Sequence, residues 1–248
     1  MIQKLVWFVV AITLLMVSSM TPAQVTVIIN KDIYEYDQPV RLKKVLEPIA
    51  TLGDWYWPVS SIYDLQVTQA EREKASILSE IRRLISVYQD DTQMHSVLEN
   101  LYQQVGSWTV ATRVLVPISY NLARMSPQGN PMLQNGKYLL RVSPRPDVVH
   151  LQGAVSAPGA YKNNANTPIY SLVNSLSRKK KSDKSTVSVI TPMGSIEVRG
   201  VAYWNMDFAQ VMPGSQIYVP ISSPLFDNAI EKLNERVVKL AIHRILPQ

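Results

Sequence analysis

The sequence predicts an α+β protein built as two sheet-containing units in tandem, with a helical hairpin inserted in the first unit and an amphipathic helix at the end. Three observations lead there. Short β-branched runs bounded by proline and glycine recur on both sides of residue 145, as in "VVHLQGAVSAPGAYKNN" (148–164) and "PGSQIYVPI" (213–221). Runs of that kind between turn signals mark strands. Between residues 68 and 106 the apolar spacing changes to that of helices, and residues 223–248 carry one apolar stripe at the same spacing. The 248 residues suffice for one large domain or two small ones.

The chain begins "MIQKLVWFVVAITLLMVSSMTPAQVTV". Lys4 supplies a positive start, residues 5–17 are apolar apart from Thr13, and Thr21, Pro22 and Ala23 offer small residues for cleavage. This is the layout of a secretory signal peptide, assigned here to residues 1–24 with cleavage near Ala23. The alternative is a membrane anchor, but the run is shorter than the roughly 20 residues that span a bilayer. The chain has no cysteine, so no disulfide holds the fold and none follows the leader to carry a lipid. An exported, unlipidated protein of a bacterial periplasm is the expectation.

The formal net charge is +6, and its excess gathers in "SRKKKSDKS" as Arg178, Lys179, Lys180, Lys181 and Lys184. A solvated loop is one reading, and an acidic partner such as an anionic glycan or lipid headgroups is the other. The run lacks interleaved aromatics to stack bases, and an exported protein is not expected to meet nucleic acid.

In chain order, "VTVII" reads as a strand with "YEYD" returning beside it. Leu42, Val45, Leu46 and Ile49 then recur at helical spacing, stopped by Gly53. The cluster Trp55, Tyr56, Trp57 and Pro58 is either a sugar-stacking platform or a core plug under a turn. A first helix starts at Thr68 with Glu71 three residues on, a capping-box pattern, and carries Ile77, Leu78, Ile81, Leu84, Ile85 and Tyr88. A second starts near Asp91, carries Met94, Val97, Leu98, Leu101 and Val105, and is closed by Gly106. The short link "QDDT" makes the pair an antiparallel hairpin, an insertion at about 65–106. "WTVATRVLVPISY" and "GKYLLRVSPRP" return to strand character, so the first unit spans 25–145 and "SPRPD" is the hinge.

The second unit, 146–222, runs strand, strand, helix, then strands. "VVHLQGAV" pairs with "GAYK" across Pro158 and Gly159, and Gly153 marks a bulge or close approach. Thr167 is expected to cap a helix with Pro168 at its first position. "TVSVIT" and "SIEVRGV" turn at Pro192, Met193 and Gly194, and "QIYVPI" is the last strand. One helix across a small mixed sheet is the β-grasp arrangement. The final segment, 223–248, is expected to start at Ser223 and Pro224 and to carry Phe226, Ala229, Ile230, Leu233, Val237, Leu240, Ala241 and Ile245 in one stripe. That stripe packs on its own domain, on a membrane surface, or in a ring of such helices from several subunits.

A search for chemistry finds little. His95, His150 and His243 fall on separate elements without acidic partners at ligand spacing, so no metal site is expected. No G-x-S-x-G elbow and no glycine-rich phosphate loop is present. Asp90 and Asp91 sit in the hairpin link, and Glu231 and Glu235 on a helix surface, so paired catalytic carboxylates have poor candidates. Arg113, in "VATRVLVPI", lies either at an exposed edge or in a pocket where its guanidinium would hold a carboxylate or a glycan's acidic group. Arginine stays protonated, so it binds and orients rather than acting as a base.

The ordered set "LQGAVSAPGAY", "PIYSLVNSL", "VSVITPMGSIEV", "VAYWN" and "VMPGSQIYVPI", with "WYWPVSS" and "TRVLVPI" before them, resembles the GfcC/YjbG family of capsule-biosynthesis proteins. The resemblance covers the chain after the leader. It implies two tandem β-grasp (SLBB-like) domains similar to those of the Wza-type polysaccharide translocon. It also implies a periplasmic accessory role in capsular or extracellular polysaccharide biosynthesis or export, non-enzymatic and without cofactor. The partners implied are polysaccharide or outer-membrane export and assembly proteins. Lacking a lipid-bearing cysteine and an extra N-terminal domain, the chain is not expected to be the channel itself. The alternatives are an enzyme that modifies the polysaccharide near Arg113, and a structural subunit that self-associates through its last helix. The candidate binding residues are Arg113, Trp55, Tyr56 and Trp57, the basic loop, and the stripe of Phe226, Ile230, Leu233, Val237 and Leu240.

Overall fold

The computed structural model describes residues 24–164, 166–223 and 228–247. The expected leader up to Ala23, the expected helix start at Pro224, and Phe226 lie outside these residues.

The first sheet contains β1 (Val25–Ile29), β2 (Asp32–Tyr36), β4 (Ser61–Asp64), β5 (Thr112–Val114) and β7 (Gly136–Arg141) in the order β2-β1-β7-β4-β5. A two-stranded ladder of β3 (Val40–Arg41) and β6 (Met132–Leu133) accompanies it. The second sheet contains β8 (Val148–Gly153), β9 (Gly159–Lys162), β10 (Thr186–Ile190), β11 (Ile196–Gly200) and β12 (Gln216–Val219) in the order β11-β10-β12-β8-β9. The two sheets share one topology. Each opens with an antiparallel hairpin, and its last strand returns parallel to the first at the centre. Two antiparallel strands complete the other flank. A short helix follows the hairpin in each: α1 (Leu42–Leu46), and α5 (Ile169–Asn174) in the second.

Three longer helices complete the fold with one short one. α2 (Gln69–Val87) and α3 (Thr92–Ser107) form the inserted hairpin, α4 (Tyr120–Met125) precedes β6, and α6 (Ala229–Ala241) closes the chain. By connectivity the hairpin leaves the first sheet between β4 and β5. By packing it joins the second. Ile77, Ile81, Leu84, Met94, Leu98 and Leu101 share one apolar core with Val149, Leu151, Ile217 and Val219 of the second sheet and with Ile230, Leu233, Val237 and Leu240 of α6. The first sheet keeps a smaller core of its own, built on Val25, Val27, Ile62 and Leu140 over Leu42, Val45 and Leu46 of α1.

Burial follows. β1 alternates buried and half-buried residues, as a sheet covered on one face does, whereas every residue of β12 is buried. Alternation and register put His150, Gln152, Gln216 and Tyr218 on one face of the second sheet. That face meets α6 and the tail through polar contacts. Tyr218 Oη donates to Asn234 Oδ1 (2.8 Å), and Gln216 Nε2 donates to the Ala241 carbonyl (2.7 Å). The α6 stripe is therefore buried inside the chain, at on the order of 1.5–3 kcal/mol per side chain. Arg236 ties α6 to α2 by an ion pair to Glu73 (2.9 Å).

Several elements differ from expectation. α4 was not foreseen: Ser119 caps it by accepting from the Leu122 N–H, inside a run that reads as extended. Thr68 stands at the N-cap of α2 but makes no side-chain cap; Asp91 does cap α3, accepting from Gln93 and Met94. Gly106 lies within the last turn of α3 rather than beyond it. Thr167 does not cap α5, because Pro168 is extended and Ile169 bonds the Ala209 carbonyl. α6 stops at Ala241 instead of running to the end. The tail turns away and adds to residues 109–111 as an antiparallel partner, with Ala111 N–H to His243 O (3.0 Å) and Ile245 N–H to Thr109 O (2.9 Å). That pairing satisfies backbone groups a longer helix would leave unmatched.

Gly153 is one glycine the fold cannot replace. Its φ is +90°, and a Cβ there would stand 2.2 Å from the Val219 carbonyl oxygen. Its N–H and C=O are taken by one side chain, Gln104 of α3, at 2.8 and 2.9 Å. Gly153→Ala is expected to lower the unfolding free energy by about 2–4 kcal/mol. Gly106→Ala, with nothing within 4 Å of the added carbon, should leave it unchanged or slightly raised. Urea denaturation of the two variants measures the contrast.

Candidate functional site: an arginine-lined cleft between the sheets

A cavity of about 510 Å³ opens where the two sheets and the tail meet. Arg113 of β5, Arg141 of β7 and Arg244 of the tail line it, with Tyr63, His150, Gln216 and the interdomain residues 142–148. Strand geometry explains the convergence. β7 and β5 flank β4, so Arg141 and Arg113 pair in register with Ser61 and Tyr63 of that strand. Tyr63 then donates to the Arg244 carbonyl (3.0 Å), which fixes the tail across the same opening.

Among the described residues the three guanidinium groups have only neutral partners. Arg113 donates through Nη2 to the Pro192 carbonyl. Arg141 reaches the Leu246 carbonyl at 3.4 Å. Arg244 donates to Gln152 Oε1 at 2.9 Å and lies 5.0 Å from the Trp108 ring centre. Among the described residues none of the three is in an ion pair. Burial pulls all three below the usual arginine range, Arg244 to about 10. They remain cations at neutral pH, partly withdrawn from water and, among the described residues, without an ion-paired carboxylate in its place. An oxyanion entering the cleft would supply the missing charge and accept the spare N–H groups.

His150 is the neutral member of the site. Burial first, and Arg244 second, push its pKa down to about 4. His243 is also held low, by burial and then by Arg113 against an opposing effect of Glu71, and its Nδ1 accepts the Arg113 backbone N–H (3.0 Å).

A second cavity of about 620 Å³ lies beyond Arg113, lined by Trp57, Leu115, Val116, Met193 and Ser195 among others. Arg113 borders both cavities.

Residues 21–145 match the family description "Capsule biosynthesis GfcC, N-terminal", and residues 158–246 match "Capsule biosynthesis GfcC C-terminal". The chain belongs to the GfcC capsule-biosynthesis family. A relative named uncharacterized protein YjbG, from Escherichia coli (strain K12), is 30% identical over 196 residues, which is 78% of each chain.

In this GfcC-family chain the residues singled out from sequence fall unevenly. Arg113 and Trp55 line the first cavity, and Arg113 and Trp57 the second. Trp55 is also a packing residue, donating Nε1–H to the Ile49 carbonyl (2.7 Å). Tyr56 lies beneath the Arg145 guanidinium, 5.4 Å from its ring centre. The basic loop is elsewhere, and part of its charge is used internally: Lys181 pairs with Asp91 at 2.7 Å. Ile230, Leu233, Val237 and Leu240 are core residues. Arg141 and Arg244 were missed. Arg141 is one position in a strand run, and Arg244 reads as a helix-surface residue because no glycine or proline breaks the pattern before Pro247.

The depressed His150 pKa has a measurable consequence. The unfolded chain takes up this proton as pH falls through about 6.5, and the folded chain does so near 4. Stability is therefore fully present above 6.5 and is lost as pH falls from 6.5 to about 4, by up to about 3 kcal/mol from this group. Urea midpoints at a series of pH values should show the loss, and His150→Asn should reduce it, leaving the part that His243 contributes.

Proposed function

We propose that the protein is an exported accessory of capsular or extracellular polysaccharide assembly, working by binding rather than by catalysis. Membership of the capsule-biosynthesis family supports the process. One observation carries the mode of action: Arg113, Arg141 and Arg244 line one cleft and, among the described residues, none is ion-paired, not even to Asp147 of the lining. Such a cleft grips an acidic group of a glycan, a carboxylate above all, because a planar guanidinium matches it with two parallel hydrogen bonds. Trp55 lines the same opening, and an indole there is of the kind that stacks on a sugar ring.

The repeated order of hairpin, helix, two strands and a returning parallel strand is read as two β-grasp domains, in keeping with the resemblance to translocon repeats. The leader-like N-terminus supports a periplasmic place of work.

Calorimetric titration with an oligouronate and a size-matched neutral glucan tests the reading. The acidic oligomer should bind, and Arg113→Met or Arg141→Met should each weaken it roughly tenfold or more, the loss of about one charge-assisted pair. Equal affinity for the neutral glucan, or turnover of the oligouronate by the protein alone, would sink it. A deletion strain with unaltered surface polysaccharide would remove the process as well.

A further inference from the structure

A second surface stands at the other end of the β10–β11 hairpin from the cleft. The turn at residues 191–195 borders the cleft, and the loop after Gly200 leaves from the far end. There residues 202–205 form a tight turn, closed by the Asn205 N–H to the Ala202 carbonyl (3.2 Å). Its two corner positions are Tyr203 and Trp204, exposed by 89% and 75%. Rings that large are rarely left in water at adjacent positions without a partner.

The turn is firmly held. Asn205 Oδ1 accepts from the Ala202 N–H (3.0 Å), and Asn205 Nδ2 donates to the Ser185 carbonyl (3.0 Å). Ser185 O also takes the Val201 N–H (2.8 Å). A Cβ at Gly200 would stand 1.9 Å from the Asn205 carbonyl oxygen, so the corner packs tightly on its own stem.

The same bonds bring the basic loop alongside. Lys184 immediately precedes Ser185. On the other side Asn174 donates to the Val201 carbonyl (2.9 Å) and accepts from Arg178 Nη2 (2.9 Å). Lys181 is neutralised by Asp91, but Arg178, Lys179, Lys180 and Lys184 share the loop with one carboxylate, Asp183, which is bonded to Ser185 and Thr186. The nearby Glu197 and Asp207 are both held by Arg199.

We propose that the Tyr203–Trp204 corner and the basic loop beside it dock the protein on an anionic membrane surface. Charge decides the occupant: cations without an ion-pair partner among the described residues flank rings that are apolar at one end and polar at the other, which suits the headgroup boundary of a negatively charged bilayer. The convex corner suits insertion. A sugar platform would need free polar side chains beside the rings, and Asn205, Asp207 and Arg199 are already bonded within the loop. This surface is separate from the cleft and does not depend on what the cleft binds.

The test uses the protein as the cell processes it, with vesicles of phosphatidylcholine alone or mixed equally with phosphatidylglycerol. Binding should need the anionic lipid and weaken at high salt. Tyr203→Ala/Trp204→Ala and Lys180→Glu/Lys184→Glu should each weaken it roughly tenfold. Brominated lipid should quench a part of the fluorescence that Trp204→Ala abolishes. Arg113→Met should bind vesicles as the parent does. Tyr203, Trp204, Lys180 and Lys184 are exposed, Arg113 is a half-buried strand residue, and matched thermal melts check the folds. Equal binding to both vesicle types, no change in either double variant, or loss in Arg113→Met would overturn the proposal. Corner-dependent binding to an acidic polysaccharide without vesicle binding would overturn it too.

Discussion

The cleft exists because a helical hairpin spans two sheets. α2 and α3 leave and re-enter the first sheet between β4 and β5, yet their apolar stripes are buried in the core of the second. The second sheet needs that cover. Its central strands are buried on both faces, and α5 with its short length cannot shield two. Six large side chains of the hairpin, each contributing on the order of 1.5–3 kcal/mol, then hold one sheet against the other more firmly than the short link at 142–147 can. The arginines can converge only while that contact persists, because they come from different strands and from the tail.

The covered face of the second sheet is polar, and its polar groups meet the helix and tail above them. Tyr218 bonds Asn234, Gln216 bonds the end of α6, and Gln152 receives Arg244. Gln104 adds the bond pair of a missing strand to Gly153. Few alternative seatings make these bonds together, and a buried polar group left unpaired, as Gln152 Nε2 and Gln216 Oε1 are among the described residues, costs about 1–3 kcal/mol. The network thus specifies where α6 stops and where the tail begins. It delivers Arg244 to the cleft, while His150 stays uncharged beside it.

Much of the architecture was legible along the chain. β1, β2, β8, β9 and the β10–β11 turn carry local signals that no distant contact has to supply, as do the paired stripes of α2 and α3. Pro213 and Gly214 likewise announce β12. α4 was illegible because its cap, Ser119, lies within residues of strand character, and the context rather than propensity settles six residues. The end of α6 was illegible because periodicity continues through Ile245, while the backbone bonds offered at Thr109 and Ala111 do not show in the sequence.

By itself the sequence determined, but for β3, β4, β6 and α4, the longer helices and most strands of both sheets in their order, the lack of cysteine, and Arg113 as a residue worth attention. These follow from spacing and side-chain chemistry, which are local. Tertiary structure decided which core the hairpin serves, that the α6 stripe is interior, and that Arg141 and Arg244 join Arg113 in one cleft with no ion pair to any of them among the described residues. Those outcomes depend on competition for buried area and hydrogen bonds between segments more than a hundred residues apart, as in the Tyr63–Arg244 bond at a separation of 181, and a linear pattern carries no record of that competition.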